Sequence, residues 1–314
     1  MLRREMRKVS PNGGRKNTYL LRNWTLYTMV LPGLVLTLIF SYIPMYGIIM
    51  AFQRFKPALG FFKSPIADPW YRYFQQVITD PYFARVFKNT LILGVETLLW
   101  TFPAPILLAL LFNELRCAAF KRTMQTLSYM PYFLSSVVVV GLMKLLLAMD
   151  GPVGNMVTML GGSWSNPFLS PAAFRTLYIG SSIWSGVGYS SIIYLAAIAG
   201  INPELYEAAT IDGASRWQSI RHITFPSILP TVVILLIFAS AGVVGNDYQK
   251  IMLIYNEATW ETADVIGTYT YRVGIEQNSQ SYATAASLFT MVLSFIVLAF
   301  TNWFAKRASE TSLW

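Results

Sequence analysis

The chain has 314 residues, of which 54% are hydrophobic and only 12% are charged. A soluble domain usually carries roughly 25% charged residues, so this composition excludes an ordinary water-exposed globular protein. The net charge of +9 is typical of lysine and arginine beside anionic lipid rather than of nucleic-acid binding, and one cysteine with one histidine excludes an internal disulfide framework and a His/Cys metal cluster.

Six long apolar windows follow one another along the chain and do not alternate with period two, which favours spanning helices over a β-barrel. Each holds the ~20 apolar residues that a helix needs to cross the hydrocarbon. The windows are 23–53, 89–113, 123–149, 176–203, 223–246 and 277–305. We expect Pro32 and Pro44 to kink or end the first helix, and Gly186 and Gly188 to interrupt the fourth.

The orientation follows from the basic residues. Residues 1–22 hold seven basic side chains against Glu5 alone, so the positive-inside rule predicts that both termini are cytoplasmic. Residues 54–88 would then lie outside and carry six basic residues, which argues the other way. The dense N-terminal cluster decides the prediction, because the first helix usually sets the orientation.

The predicted organisation has four parts. Residues 1–22 form a basic cytoplasmic tail, 23–84 the first spanning helix with an outer loop, 85–305 a five-helix core, and 306–314 a cytoplasmic C-terminal tail. Two further outer segments are expected: a glycine-rich, loop-like stretch at 150–171 and a long connection at 247–281.

A polar segment at 200–226, within the predicted core, is too long for a simple turn between spans. We predict a short helix over 204–210, a second helix over 214–223, and a break between them at Asp212-Gly213, where Asp212 caps the second helix. Pro226 is compatible with the first turn of the next span. The segment either docks into a partner or lies flat on lipid as an amphipathic helix pair.

The same segment carries a recognisable pattern. Glu207-Ala208-Ala209, Asp212-Gly213-Ala214 and the later Pro226 resemble the EAA loop of binding-protein-dependent ABC importer permeases. Similarity continues at Asn89-Thr90-Leu91, 103–113, 193–197, 264–274 and Leu313-Trp314, which resemble the carbohydrate-uptake branch and, within it, aldouronate- and alginate-type oligosaccharide and polysaccharide permeases.

The resemblance implies an all-α integral membrane protein with the type I ABC importer permease fold, in a bacterial cytoplasmic membrane. It implies a hetero-pair with a second permease subunit, two cytoplasmic ATPase subunits that hold ATP and Mg, and an extracytoplasmic solute-binding protein. The chain itself has no phosphate-binding loop motif, so we expect it not to hydrolyse ATP, and no nucleophile–base constellation is visible. We therefore expect a transport subunit without enzyme activity, with no catalytic or metal site and no bound cofactor. The residues expected to couple to the ATPase are Glu207, Ala208, Ala209, Asp212, Gly213, Ala214, Arg216 and Pro226.

The substrate pathway is predicted from residue chemistry, since sugars offer hydroxyls to polar side chains and apolar ring faces to aromatics. The candidates are Trp184, Tyr189, Tyr194, Asn246, Asp247 and Tyr248. Packing between helices is the alternative use of these aromatics. Glu96, an acid inside a span, is either functional or a neutral group bonded to a nearby Ser or Thr. Import of a peptide, phosphate or polyamine by the same architecture, or a channel or enzyme of another class, remains an alternative to sugar import.

Overall fold

The computed structural model describes residues 23–309, and these fold almost entirely into helices. Within this range six helical stretches are long and apolar enough to cross a membrane. They are α1 Trp24–Phe52, α2 Pro81–Glu114, α3 Ser136–Met159, α4 Phe174–Ala199, α5 Arg216–Ala241 and α6 Gln280–Arg307. The prediction of an all-α protein with six spans is confirmed, whereas residues 1–22 and 310–314 lie outside the described part of the chain.

Shorter helices fill the connections between the spans. They are Gly60–Lys63, Arg72–Thr79, Ala118–Tyr129, Met130–Phe133, Pro167–Leu169, Pro203–Ile211, Tyr248–Ile254, Trp260–Ala263 and Ile266–Tyr271. Hydrogen bonds tie two of these connections together, from the Asn256 side-chain amide to the Phe168 carbonyl (2.7 Å) and from Thr262 to the Pro171 carbonyl (2.9 Å). We call the face with the α1–α2, α3–α4 and α5–α6 connections the long-connection side, and the opposite face the 200–226 side.

Two spans contain a wide helical turn immediately before a proline. The wide turn Leu38–Tyr42 precedes Pro44 in α1, and the wide turn Ile220–Thr224 precedes Pro226 in α5. A proline ring clashes with the carbonyl four residues earlier, and an i→i+5 turn moves that carbonyl aside. The expected distortion at Pro44 is therefore present, while α1 continues as a helix through Pro32.

The third predicted window, 123–149, is wrong as a single helix. The helix Ala118–Tyr129 is followed by a tight turn at Met130–Phe133, and a new helix begins after Ser135, whose hydroxyl accepts the backbone N–H of Val138 at 3.4 Å. The loop predicted at 150–171 is wrong over Pro152–Met159, which is helical. A short bend separates this helix from the apolar helix Ser136–Leu147, so α3 is not straight.

The fourth span is an unbroken helix, so the prediction that Gly186 and Gly188 interrupt it is wrong. Gly188 instead allows close contact, because a Cβ there would lie 2.0 Å from the Ser128 carbonyl oxygen. Gly94 of α2 serves the same purpose, with the Val243 carbonyl 1.7 Å from its notional Cβ. Small residues of this kind let helix backbones approach closely inside a membrane.

The buried side chains form three groups around α4 and α6. One joins Leu93 and Phe174 to the segment after α5, and a second joins Ala51 and Phe83 to Ala286 of α6. The third holds Tyr194 and Ile228 between α2, α4 and α5. In contrast, every residue of α1 from Trp24 to Met45 is exposed, so most of this helix stands away from the other five.

Candidate functional site

The 200–226 loop begins with a well-defined helix, Pro203–Ile211, which confirms the helix predicted over 204–210. Its N-cap is Asn202, whose side-chain oxygen accepts the backbone N–H of Glu204 at 3.1 Å. Pro203 occupies the first helical position, where its missing N–H costs nothing. The sequence Asn-Pro-Glu thus fixes where this helix starts.

The helix is followed by a position whose backbone conformation favours glycine. Gly213 has φ +78°, a conformation that L side chains rarely adopt. The Ala214 N–H donates to the Ala209 carbonyl (2.9 Å) and the Gly213 N–H to the Thr210 carbonyl (3.1 Å), the bonding of a Schellman end. The chain therefore reverses sharply between Ile211 and Ser215.

The second helix of the loop differs from the prediction in two ways. Its cap is Ser215 and not Asp212, because the Ser215 N–H donates to Gln218 Oε1 (2.7 Å) and the Gln218 N–H donates to Ser215 Oγ (3.4 Å), a reciprocal capping box. It is also continuous with α5, which starts at Arg216 and runs through the wide turn before Pro226. The second helix of the loop is therefore the first part of α5.

The exposed surface of the loop is more apolar than the sequence pattern suggested. Glu207 and Ala208 are exposed, as docking residues must be. Beside them, Ile211 is 88% exposed and Trp217 is 71% exposed. Neither was among the predicted residues, although a large apolar side chain within a polar segment is the signal that could have identified them. Large apolar side chains exposed together mark a surface that contacts another protein or lipid.

Two contacts hold the loop against the bundle. The Tyr206 hydroxyl bonds Thr224 Oγ1 at 2.9 Å, and the Arg216 guanidinium lies 3.9 Å from a carboxylate oxygen of Glu114 at the end of α2. A polar cavity of about 510 Å³ lies between the loop and α2, lined partly by Glu114, Arg116 and Arg216. The second of these contacts links the loop to α2 as well as to α5.

A second cavity, the α4 cavity, lies between α2, α4 and α5 and has a volume of about 440 Å³. Two predicted pathway residues line it, Tyr189 and Tyr194, together with the hydroxyls of Thr97, Thr101, Ser182 and Ser190. Thr97 Oγ1 is buried and has no hydrogen-bond partner among the described residues. Aromatic rings together with hydroxyl groups suit a ligand that presents both apolar faces and polar groups.

The other four predicted pathway residues do not converge on the α4 cavity. Trp184 is 48% exposed on α4. Asn246 donates to the Thr90 carbonyl at 3.0 Å and lines a separate cavity of about 160 Å³. Tyr248 lines a cavity of about 400 Å³, and Asp247 caps the helix Tyr248–Ile254 by accepting the backbone N–H of Lys250 at 3.1 Å.

Glu96 has a charged partner that the sequence analysis did not identify. The Arg175 guanidinium donates to its carboxylate at 3.1 Å, so its partner is a cation and not the Ser or Thr of the alternative prediction. Arg175 is next to the first residue of α4. Glu96 is therefore level with the end of α4 on the long-connection side.

The long-connection side is held by a buried cluster around Asp264, which has no exposed surface. Its carboxylate accepts from the Tyr82 hydroxyl, from Thr268 at 2.6 Å and from Arg272 at 2.5 Å. Burial by itself would lower the pKa of Arg272, but its bond to Asp264 raises it above the usual value.

Asp80 forms a neighbouring group at the start of α2. Burial by itself would raise the pKa of Asp80, yet hydrogen bonds from Tyr269 (2.8 Å), from the Tyr82 backbone N–H (2.9 Å) and from Tyr282 (3.1 Å) hold it below its usual range. Burial together with the bonds to Tyr282 and Asp80 raises the pKa of Tyr269. The carboxylate stays ionised and joins α2 to α6.

Known proteins resemble the chain over nearly its whole length. Residues 101–310 match the family model described as the binding-protein-dependent transport system inner membrane component. The polygalacturonan/rhamnogalacturonan transport system permease protein YteP of Bacillus subtilis (strain 168) is 41% identical over 92% of this chain and 90% of its own length. Protein LplB of the same organism is 38% identical over 93% of this chain and 92% of its own.

Solved structures give the same result for the fold. A bacterial ABC transporter chain involved in the import of the acidic polysaccharide alginate is 40% identical and superimposes with a TM-score of 0.84, covering 94% of this chain and 99% of that one. A second structure of a bacterial alginate ABC transporter, in complex with a periplasmic protein that holds an alginate pentasaccharide, gives a TM-score of 0.85 with 40% identity over 95% and 100% of the two chains. The chain thus belongs to the inner membrane components of binding-protein-dependent transport systems and is a multi-pass transport permease.

Proposed function

We propose that this chain is one permease subunit of an ATP-driven importer that moves oligosaccharides or polysaccharide fragments into the cytoplasm. The observation that carries the proposal is the match of the whole chain to permeases whose names or descriptions specify polygalacturonan, rhamnogalacturonan or alginate. The α4 cavity supports it, because its two tyrosines and four hydroxyl side chains offer the contacts that a sugar ring needs.

The surrounding assembly is part of the same proposal. A second, unlike permease subunit would cover the exposed face of α1 and complete the pathway, and a solute-binding protein would deliver the glycan to the long-connection side. The alginate transporter bound to a glycan-loaded periplasmic protein supports this delivery route. The long-connection side is accordingly extracytoplasmic, and both termini are cytoplasmic.

The 200–226 loop is proposed to dock into a cytoplasmic ATPase subunit, which would hold the ATP and Mg. Glu207 offers a charge to a basic residue of that subunit, while exposed Ile211 and Trp217 offer apolar area. Because the second helix of the loop is continuous with α5 and its Arg216 reaches Glu114 of α2, displacement of this helix would move two spans that line the α4 cavity. This coupling would make the cavity open alternately to the two sides of the membrane.

Uptake of labelled oligosaccharides tests the transport function. The complete complex, in proteoliposomes with ATP on the ATPase side, is expected to accumulate acidic or neutral oligosaccharides in the presence of the binding protein. Accumulation of a peptide, phosphate or polyamine in place of any glycan would contradict the sugar assignment.

A substitution at the loop bend tests the docking role. Proline cannot adopt φ +78°, so Gly213→Pro is expected to abolish ATP-driven uptake and to reduce co-purification of the ATPase at least tenfold, with the spans still inserted. Glu207→Lys is expected to reduce both by reversing the docking charge. Uptake and ATPase recovery are measured on the purified complex.

The matched control is Gly161→Pro, because Gly161 has φ +82° but lies on the long-connection side. It should leave ATPase co-purification unchanged. Wild-type uptake by a normally expressed Gly213→Pro or Glu207→Lys complex would show that the loop does not couple transport to ATP hydrolysis.

A further inference from the structure

Lys250 is a buried charge that none of the contacts described so far explains. The residue is only 6% exposed, in the helix Tyr248–Ile254 on the long-connection side. Its ammonium donates to Ser182 Oγ at 2.9 Å and lies 5.3 Å from the centre of the Tyr178 ring. Burial of an ammonium raises the free energy of the folded chain unless an opposite charge and hydrogen bonds compensate for it. A buried ammonium without an opposite charge therefore suggests a functional role.

The ammonium has no carboxylate partner of its own within the described residues. The three ion pairs found there, within 4.0 Å, join other residues: Arg175–Glu96, Arg216–Glu114 and Arg272–Asp264. Asp247 is the acid that lies nearby, but its carboxylate oxygen is bonded to the backbone N–H of Lys250 at 3.1 Å. Burial lowers the pKa of Lys250 to about 8, and the charge of Asp247 offsets only part of that effect, so the group is mainly charged at pH 7.

Ser182 connects this charge to the α4 cavity. Its hydroxyl donates to the Tyr178 carbonyl at 2.8 Å, so the oxygen is left oriented to accept from Lys250. Ser182 itself lines the cavity, on the same helix as Gly186 and Tyr189. The ammonium therefore lies one hydrogen bond behind the cavity wall, where water is scarce and a charge acts over a longer distance.

The α1–α2 connection, on the long-connection side, carries charge of the same sign. Residues 54–88 carry six basic and two acidic side chains, and all six basic ones are exposed. These are Arg54, Lys56, Lys63, Arg72, Arg85 and Lys88. With the long-connection side outside the cell, so many basic residues run against the positive-inside tendency, which calls for a separate reason. A basic surface attracts anions and raises their local concentration.

We propose that Lys250 is a specificity-determining residue that makes the α4 cavity prefer oligosaccharides bearing carboxylates, such as uronic acid units, over neutral ones. This inference rests on the proposed function and adds a substrate class and a residue to it. The exposed basic surface concentrates the anionic glycan, and the ammonium behind Ser182 then stabilises a carboxylate within the cavity.

The test compares an acidic oligouronide with the same glycan after reduction of its carboxyl groups. Binding of each is measured by equilibrium dialysis to the complete transporter in nanodiscs, without the binding protein, so that receptor specificity does not enter. Lys250→Gln is expected to weaken binding of the acidic glycan about tenfold and leave the reduced glycan unchanged. Lys250→Arg, which keeps the charge, should retain most of the preference.

Lys144→Gln is the matched control, since the Lys144 ammonium also lies near an aromatic ring, that of Phe168 at 5.8 Å, but the residue is exposed and does not contact the α4 cavity. It should leave binding of both glycans unchanged. Equal loss of both glycans in Lys250→Gln, or no loss of either, would overturn the assignment.

A pH series on the unmodified complex gives a reading that needs no variant. The ammonium loses its proton as the pH passes about 8, while the sugar carboxylates stay ionised. The acidic-to-reduced preference should fall between pH 7 and 9, and a constant preference would overturn the assignment. Asp247 and Tyr178 are the titratable groups that face the ammonium most closely. A wild-type complex that binds and transports neither glycan would overturn the proposed function and this inference together, whereas wild-type transport with an unaltered Lys250→Gln preference would overturn the inference alone.

Discussion

At the scale of single residues, the least replaceable group on the long-connection side is the carboxylate of Asp264. It has no exposed surface and is bonded to Tyr82, Thr268 and Arg272. These partners come from α2 and from the connection before α6, so one ionised group joins segments far apart in the chain. Removal of a partner leaves an uncompensated buried charge, which costs more than the bond itself contributes.

Arg272→Leu is accordingly expected to lower the free energy of unfolding by roughly 3–5 kcal/mol. Tyr82→Phe, which removes a neutral hydrogen-bond donor, should cost only about 1–3 kcal/mol. Unfolding of the detergent-solubilised chain by denaturant measures both. The double variant Arg272→Leu with Asp264→Asn should recover part of the loss, because the charge that needed the guanidinium is gone. A double variant no more stable than Arg272→Leu alone would contradict this explanation.

At the scale of elements, prolines and glycines decide how the spans deviate from straight helices and how closely they approach. The wide turns before Pro44 and Pro226 place a distortion at a defined point in α1 and α5. Gly94 and Gly188 act differently: they let the backbones of neighbouring segments come close and do not bend the helix that contains them. Both kinds of residue act on packing between spans, which in a membrane depends on close fit more than on a hydrophobic driving force.

Gly188→Ala is expected to separate α4 from Ser128, because the new Cβ would lie 2.0 Å from that carbonyl oxygen. Neither backbone can move without disturbing its neighbours, so we expect a loss of thermal stability well beyond the small gain that alanine brings to a helix. Gly180→Ala in the same helix is the control, since its Cβ would meet nothing within 4 Å. Thermal unfolding of the two variants in one detergent measures the difference, and equal melting temperatures would contradict the close contact.

The spans themselves were largely predictable from the sequence, and their irregularities were not. A helix in lipid satisfies its own backbone hydrogen bonds, so hydropathy alone locates α1, α4 and α6 to within a few residues. The break at Met130–Phe133 was missed because it falls inside a long apolar window, where Pro131 was the only sign. Gly188 was misread for a similar reason: glycine at a close contact and glycine at a break look alike in sequence.

The candidate sites were predictable to different degrees. The loop helix, predicted over 204–210 and found at Pro203–Ile211, followed from local signals: helix-prone residues with a break after them at Asp212-Gly213. The α4 cavity did not, because Ser182 and Lys250 are far apart in the chain and meet only through tertiary packing. For the same reason the burial of Lys250, which gives it its significance, has no sequence signal of its own.

At the scale of the whole molecule, the chain has two faces of different chemistry. The long-connection side is held together by buried ionic and tyrosine groups. The 200–226 side presents the exposed apolar side chains of Ile211 and Trp217 beside a polar cavity. Between them the α4 cavity is the space that a displacement of α5 would reshape. The proposed direction of transport depends on which of these faces the cytoplasm.

Cys117 can report that orientation directly, since it is the chain's single cysteine and is exposed, between α2 and the helix Ala118–Tyr129 on the 200–226 side. A membrane-impermeant maleimide should label it only after the cells are permeabilised. In a Cys117→Ser background, Ser165→Cys on the long-connection side is exposed and should be labelled in intact cells. Labelling of Cys117 from outside intact cells would reverse the proposed topology and the docking role with it.

The isolation of α1 has a consequence for biogenesis. The helix is attached to its own chain mainly at one end, where Ala51 is buried and the Ser281 hydroxyl bridges the Gln53 carbonyl (2.7 Å) and the Phe55 N–H (3.0 Å). From Trp24 to Met45 every residue is exposed, so the tilt of this part depends on what lies beside it. If the proposed second permease subunit covers this face, a newly made copy without it would present an unpacked helix to the quality-control proteases of the membrane. Balanced synthesis of this chain and the proposed second permease subunit would then be required for either one to accumulate.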